Sequence, residues 1–326
     1  MARIATFGIG LVVALSAYAV EGLEAWPEFR GPFGDGYATA PTDKAALGVP
    51  TTWSETENIT WKTAIPHKGW STPVAADGRI WLTTATEGGT DFFVIAVDAK
   101  SGDIVVNKKL FHADEPEPLG NDVNSYASPS PAIENGRVYV HFGSYGTACL
   151  DAKTAEVIWE RTDLPCRHYR GPASSVVLFE NLVYLTFDGV DQQYVAALDK
   201  TTGETVWRVD RSTKWTDFDD NGEIYREGDL RKAYSTPLVL EAGGRPQLIS
   251  IGSTAGFSYD ARTGEEIWTV SLPGYTPATR PVWGAGHLYI TNGRGGEVLF
   301  AIRPDGEGDV TETHAVSYTH LTLPTN

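Results

Sequence analysis

One eight-residue pattern recurs four times without gaps, and it constrains the fold of this chain more than any other feature. Its copies are Ala96–Asp103, Cys149–Glu156, Ala197–Glu204 and Ser258–Glu265, aligned on Asp98, Asp151, Asp199 and Asp260. Three copies lead to a tryptophan at one shared offset, Trp159, Trp207 and Trp268, whereas the first has Val106 there. The aspartates lie 53, 48 and 61 residues apart, close to the period of propeller blades that carry loop insertions. A degenerate fifth copy begins at Ala301-Ile302-Arg303-Pro304-Asp305-Gly306.

The residues between the copies supply the rest of each unit. Thr72-Pro73, Ser130-Pro131, Thr236-Pro237 and Arg280-Pro281 open successive units. Asp77-Gly78, Asn135-Gly136 and Gly243-Gly244 follow, residues that accept the positive φ of tight hairpins. Then come strands with period-two alternation at 80–83, 138–141, 183–186 and 288–291. The Asp-x-x-Thr-Gly turn is expected to join strands three and four, with the Asp oxygen capping backbone N–H groups and Gly in the left-handed region. Each unit is thus a four-stranded antiparallel meander. A lone meander cannot bury both faces, so the units are expected to stack radially, with the tryptophans packed between neighbours.

Composition narrows the function. The chain has 326 residues, with 26 Lys and Arg against 42 Asp and Glu, a net charge of −16. That balance argues against sequence-independent nucleic-acid binding, which depends on cations neutralising phosphates, and against a polybasic membrane anchor. Two cysteines are too few for a disulfide-built scaffold.

Both ends read differently from the middle. Residues 1–19 follow the signal-peptide pattern: Arg3, an apolar run to Leu15, and Ala17-Tyr18-Ala19 as cleavage site. The run is too short to span a bilayer, and no Cys follows it to carry a lipid. The expected location is therefore secreted or periplasmic. Residues 317–326 carry no charge, continue no earlier pattern and resemble adaptor read-through, which leaves 20–316 as the folded part.

Ala197-x-Asp199-x-x-Thr202-Gly203-Glu204-x-x-Trp207 resembles the tryptophan-docking repeat of the PQQ-like (quinoprotein alcohol dehydrogenase-like) β-propeller superfamily. The segment Trp26-Pro27-Glu28-Phe29-Arg30-Gly31-Pro32 is similar to the opening of secreted, planctomycete-type members. The resemblance implies an all-β propeller of seven or eight blades. About five units are visible here, so a partial ring truncated at its C-terminal side is expected, with Ile59-Thr60-Trp61 as an outer strand.

Loop lengths divide the faces. In such a meander the turns between strands one and two and between three and four share one face, and here they are short. The other connections are long and polar, over 108–127, 160–172, 188–193 and 208–233, and function on rigid scaffolds concentrates in such loops. Asp122, Asn124, Arg167, His168, Arg170, Asp188 and Asp191 form the candidate binding group there. They suit a sugar, a peptide or an oxyanion. The plainer alternative is a solvated acidic surface in which Arg167 and Arg170 pair with nearby carboxylates.

Asp217-x-Asp219-x-Asn221-Gly222-x-Ile224 follows the first part of a calcium loop. Gly228 stands where the bidentate Glu belongs, so the segment is either a calcium site or an acidic turn. Cys149 and Cys166 are compatible with a disulfide or with free buried thiols. The histidines lack metal-ligand spacing, and Walker, G-x-S-x-G and H-E-x-x-H motifs are absent.

The leading expectation is a binding or assembly scaffold with no catalytic site, whose partner is a polysaccharide, a peptide or an envelope protein. In architecture it resembles an outer-membrane assembly propeller. Second is a PQQ-dependent alcohol or sugar dehydrogenase. Many of these, by the same resemblance, clamp their cofactor between a Trp and a vicinal Cys-Cys disulfide above calcium. Cys149 and Cys166 are not adjacent, so PQQ is not expected here. Third is an extracellular lyase or hydrolase using His168 with Arg167 or Arg170.

Overall fold

The computed structural model describes residues 25–38, 50–120, 122–295 and 298–318. The leader read at 1–19 and the tail residues 319–326 lie outside the described residues. Five antiparallel sheets follow one another along the chain. Blade one is β1 (Val74–Ala76), β2 (Arg79–Ala85), β3 (Asp91–Asp98) and β4 (Ile104–His112). Blade two is β5 (Ala132–Glu134), β6 (Arg137–His141), β7 (Thr147–Asp151) and β8 (Val157–Arg161). Blade three is β9 (Val177–Phe179), β10 (Leu182–Asp188), β11 (Gln193–Asp199) and β12 (Thr205–Asp210). Blade four is β13 (Leu238–Ala242), β14 (Arg245–Ile251), β15 (Ala255–Asp260) and β16 (Glu266–Ser271). Blade five is β17 (Val282–Gly284), β18 (His287–Thr291), β19 (Leu299–Ile302) and β21 (Ala315–Tyr318). Before β21, the short β20 (Gly308–Asp309) leaves its own blade and pairs in parallel with β16.

The core lies between blades rather than within them. Phe92 and Val94 pack with Val138 and Phe142 between blades one and two. Trp159 and Tyr139 meet Val183 and Phe187 at the next junction. Tyr184 and Trp207 meet Leu248 and Tyr259 at the third, and Trp268 meets Leu288 and Phe300 at the fourth. Each sheet is therefore apolar on both faces, which radial stacking requires.

The repeated octapeptide acts as a socket. Lys153, Thr201 and Arg262, each two residues after its Asp, donate their backbone N–H to the carboxylate of Asp151, Asp199 and Asp260 at 2.7–2.9 Å. The residue two places before each Asp sits directly opposite the tryptophan across the third and fourth strands: Cys149 against Trp159, Ala197 against Trp207, Ser258 against Trp268. Small side chains leave the indole room to lean onto the next blade. There Trp159 Nε1 donates to the Lys200 carbonyl at 3.0 Å, and Trp207 Nε1 to that of Ala261 at 3.2 Å. A Cβ on Gly203 would lie 2.6 Å from the Trp159 ring, so the repeat's glycine is needed for this close approach as well as for its positive φ.

Three details depart from the sequence reading. Ile59-Thr60-Trp61 forms no strand, although Trp61 Nε1 still docks on the Ala99 carbonyl at 3.1 Å. Blade three opens with no Pro and turns at Glu180 and Asn181 with no Gly, Glu180 adopting φ 46°. Strand β4 continues through His112, so the connector after it begins later than residue 108. Where blade one lacks the tryptophan, Arg79 Nη1 takes its place and donates to the Ala152 carbonyl at 2.6 Å.

Candidate functional site

The inner strands surround a central axis, and the residue just before each shared Pro position builds a belt around it. Thr72 N–H donates to Ser130 Oγ at 2.9 Å, Ser130 N–H to Ser175 Oγ at 3.0 Å, and Ser175 N–H to Thr236 Oγ1 at 2.9 Å. Each hydroxyl thus satisfies a backbone donor of the preceding blade that no sheet bond can reach. The fifth equivalent is Arg280. Its Nε donates to the Pro237 carbonyl at 3.2 Å, and its Nη1 to the Phe29 carbonyl at 2.8 Å.

The segment around Trp26–Phe33 lies across the tight-turn end of these strands. Trp26 exchanges backbone bonds with Ala75 at 2.7 and 2.8 Å, and the Pro27 carbonyl accepts from Ile133 N–H at 2.7 Å. Glu28 reaches Arg280 at 3.4 Å. A small cavity of about 340 Å³ remains there, lined in part by Pro27, Phe33, Ile133 and Leu238.

The loop-rich end is open, with a cavity of about 670 Å³. Its cations are Arg170, Arg226, Lys232 and Arg294, its carboxylate is Asp229, and Tyr234 and Tyr275 supply aromatic walls. Lys232 is buried, with Nζ 2.5 Å from Asp229 and 3.2 Å from the Tyr234 hydroxyl. Its ammonium stands over the Tyr169 ring at 5.0 Å. Burial alone would raise the Asp229 carboxyl, but Lys232 and Arg170 outweigh it and hold the group below the ordinary carboxylate value. Burial pulls Lys232 below its ordinary value, against the opposing pull of Asp229.

Of the residues expected at the site, Asn124 and Arg170 line this cavity. They touch: Asn124 Nδ2 donates to the Arg170 carbonyl at 2.8 Å. The others lie elsewhere. Arg167 Nε pairs with Glu117 at 3.0 Å, its backbone N–H donates to Asp191 at 2.7 Å, and Asp122 is exposed. Asp188 is buried in a two-pronged pair with Arg211 at 2.5 and 2.7 Å. His168 is buried, its Nε2 accepting from Ser144 N–H at 3.1 Å. Burial takes His168 down to about 4, and His141 down to about 3.

Cys149 and Cys166 are both free and buried, and neither lines the cavity. Both oxygens of Asp217 face Arg231, and Asp219 accepts from the N–H groups of Asn221 and Glu223 at 2.8 and 2.9 Å. Among the described residues no three His, Cys, Asp or Glu side chains converge as a metal site.

Sequence reasoning missed Arg226, Asp229, Lys232, Tyr234, Tyr275 and Arg294. They come from three connections, and only the length of 208–233 hinted at them.

The family described as outer membrane protein assembly factor BamB matches residues 32–164. BamB from Moraxella catarrhalis is similar in structure at 19% identity and TM-score 0.50, over 73% of this chain and 60% of that one. The chain has the fold of a PQQ-like β-propeller, and its residues 32–164 match a family model of that repeat. The propeller is also similar to the quinohemoprotein alcohol dehydrogenase of Comamonas testosteroni, at 16% identity and TM-score 0.56, over 80% of this chain and 44% of that one. A second such dehydrogenase, from Pseudomonas putida, matches at 16% identity and TM-score 0.52, over 79% of this chain and 43% of that one. The propeller thus spans less than two thirds of the length of each of these structures. No curated protein matches it by sequence. Among the described residues no helix is long and apolar enough to cross a membrane.

Proposed function

We propose that the propeller is a secreted or periplasmic binding scaffold of the cell envelope, without a catalytic site, that engages its partner through the open mouth on the loop-rich face. The observation that carries this reading is the state of Asp229. It is the one carboxylate among the residues named for the mouth, and Arg170 at 3.3 Å and Lys232 at 2.5 Å both hold it ionised. A carboxylate paired in this way and pulled below its ordinary value is a weak proton acceptor, unlike a catalytic base tuned toward neutrality. The opposite end is crossed by residues 26–33, which bond to Ala75 and Ile133 of the inner strands. The match of residues 32–164 to an outer-membrane assembly family supports an envelope setting and a protein, peptide or polysaccharide partner.

The second reading, a quinone-dependent dehydrogenase, draws on the two dehydrogenases of similar fold. Purified protein given PQQ and calcium, then assayed for dye reduction with alcohols and sugars, separates the two. The scaffold reading expects no reduction above the blank. Saturable, cofactor-dependent turnover overturns it.

A further inference from the structure

We infer that the mouth binds an anionic sugar ring, one carrying a carboxylate or a sulfate, as found in acidic polysaccharides. The inference rests on the scaffold reading and names the ligand class of that site. Its first support is local charge. The chain as a whole carries −16, yet four of the five charged residues lining this cavity are cations. Positive charge gathered at one concave point of an acidic protein selects an anion and attracts it most strongly at the mouth itself.

The second support is the mixed chemistry of the wall. Asp229 stands among the cations, so a ligand offering only negative oxygens meets one repulsive group. A ligand that also brings O–H donors has an acceptor there. Tyr234 and Tyr275 present ring surface beside Ala173 and Ala278, which suits the C–H face of a pyranose. Charge, hydroxyl donors and an apolar face occur together on a single uronate or sulfated sugar ring. A cavity of about 670 Å³ lies in the range of sites for small ligands and admits a short oligosaccharide.

The third support is backbone strain in the connections that carry the rim. Arg226 and Glu227 adopt φ of 49° and 56° in succession, followed by Gly228 at 85°. Thr276, on the facing connection, has φ 53°, and Tyr169, beside Arg170, has φ 61°. Non-glycine residues held in this region cost stability and cluster where side chains must be aimed at a ligand. Gly228 is locked by its neighbour: a Cβ there would lie 2.5 Å from the Val190 carbonyl. The loop that aims Arg226 is thereby fixed to the 188–191 connection.

The test is calorimetric titration of the full chain with four probes: trigalacturonate, its methyl ester, a sulfated trisaccharide, and citrate. Trigalacturonate, the sulfated trisaccharide or both are expected to bind at least tenfold more tightly than the neutral ester and than citrate. Which of them binds identifies the source of the charge. R226Q and R294Q, both at exposed positions, are each expected to weaken that binding at least tenfold with unchanged unfolding midpoints. Equal binding of the methyl ester removes the charge requirement and overturns the inference. So does equal binding of citrate, which removes the ring, and so does binding that the variants leave intact. No binding by any probe also overturns it, while the scaffold reading stands as long as dye reduction stays at the blank.

Discussion

The indole N–H of Trp268 reaches the side-chain oxygen of Gln247 at 3.2 Å, whereas Trp159 and Trp207 reach backbone carbonyls of the following blade. Gln247 passes the link on: its Nε2 donates to the Pro304 carbonyl at 3.0 Å, the position equivalent to Lys200 and Ala261. The fifth copy of the repeat is degenerate, and a buried amide bridges the gap its altered turn leaves.

Gln247 also accepts from Ser258 Oγ at 2.7 Å. Gln247→Leu therefore orphans the Trp268 and Ser258 donors in a buried site, and is expected to cost about 2–4 kcal/mol. Urea denaturation measures the loss. A change within about 0.5 kcal/mol would show that the bridge carries no weight.

The hydroxyl belt predicts an ordering among conservative changes. Ser175→Ala removes the acceptor for the Ser130 N–H and is expected to lower stability by about 1–2 kcal/mol, whereas Ser175→Thr retains the oxygen and most of the stability. Equal unfolding midpoints for the two variants would contradict this role.

His141 and His168 give the protein an acid-sensitive core. Their folded-state values, about 3 and about 4, lie below the roughly 6.5 of an unfolded histidine. The unfolded chain therefore binds more protons as pH falls. The stability of the neutral pair is complete above about pH 6.5 and declines below it, by about 1.4 kcal/mol per pH unit for each ring. Unfolding midpoints measured across that window check the sign. A flat profile from about pH 7 down to 5 would be inconsistent with it.

The two thiols are expected to be inert in the native protein. Burial pushes Cys149 up to about 11 and Cys166 well above its ordinary value, so neither supplies thiolate at neutral pH. Ellman titration should find no reactive thiol in the folded chain and two after denaturation. Rapid reaction without denaturant would show that Cys166 is accessible.

Calcium must displace Arg231 from Asp217 before the 217–221 turn can offer its oxygens. Added calcium is therefore expected to leave the thermal midpoint unchanged. A chelator-reversible rise that the double variant Asp217→Ala/Asp219→Ala abolishes would establish the site instead.

The fold was legible because its main device is local and repeated. The Asp turn, the small residue across from the tryptophan and the period-two strands each recur at fixed offsets around Asp151, Asp199 and Asp260. Blade three escaped the hairpin rule because Glu180 accepts a positive φ while its carboxylate pairs with Arg262 of the next blade. The mouth was far less legible. Arg170, Lys232 and Arg294 stand on connections between different elements, and they converge only once the ring positions those connections around one axis. Asp188 and His168 carried the polarity expected of a binding group, yet they serve the interior. The sequence places them on the right face but does not say which way they turn.

The most direct measurement is hydrogen exchange by mass spectrometry, with and without a saturating acidic oligosaccharide. Protection is expected in the backbone around 225–235 and 275–279, with none added around 26–33 or in the Asp turns of the opposite face. Protection confined to those turns, or to the segment across the closed end, would place the working surface on the wrong side of the propeller.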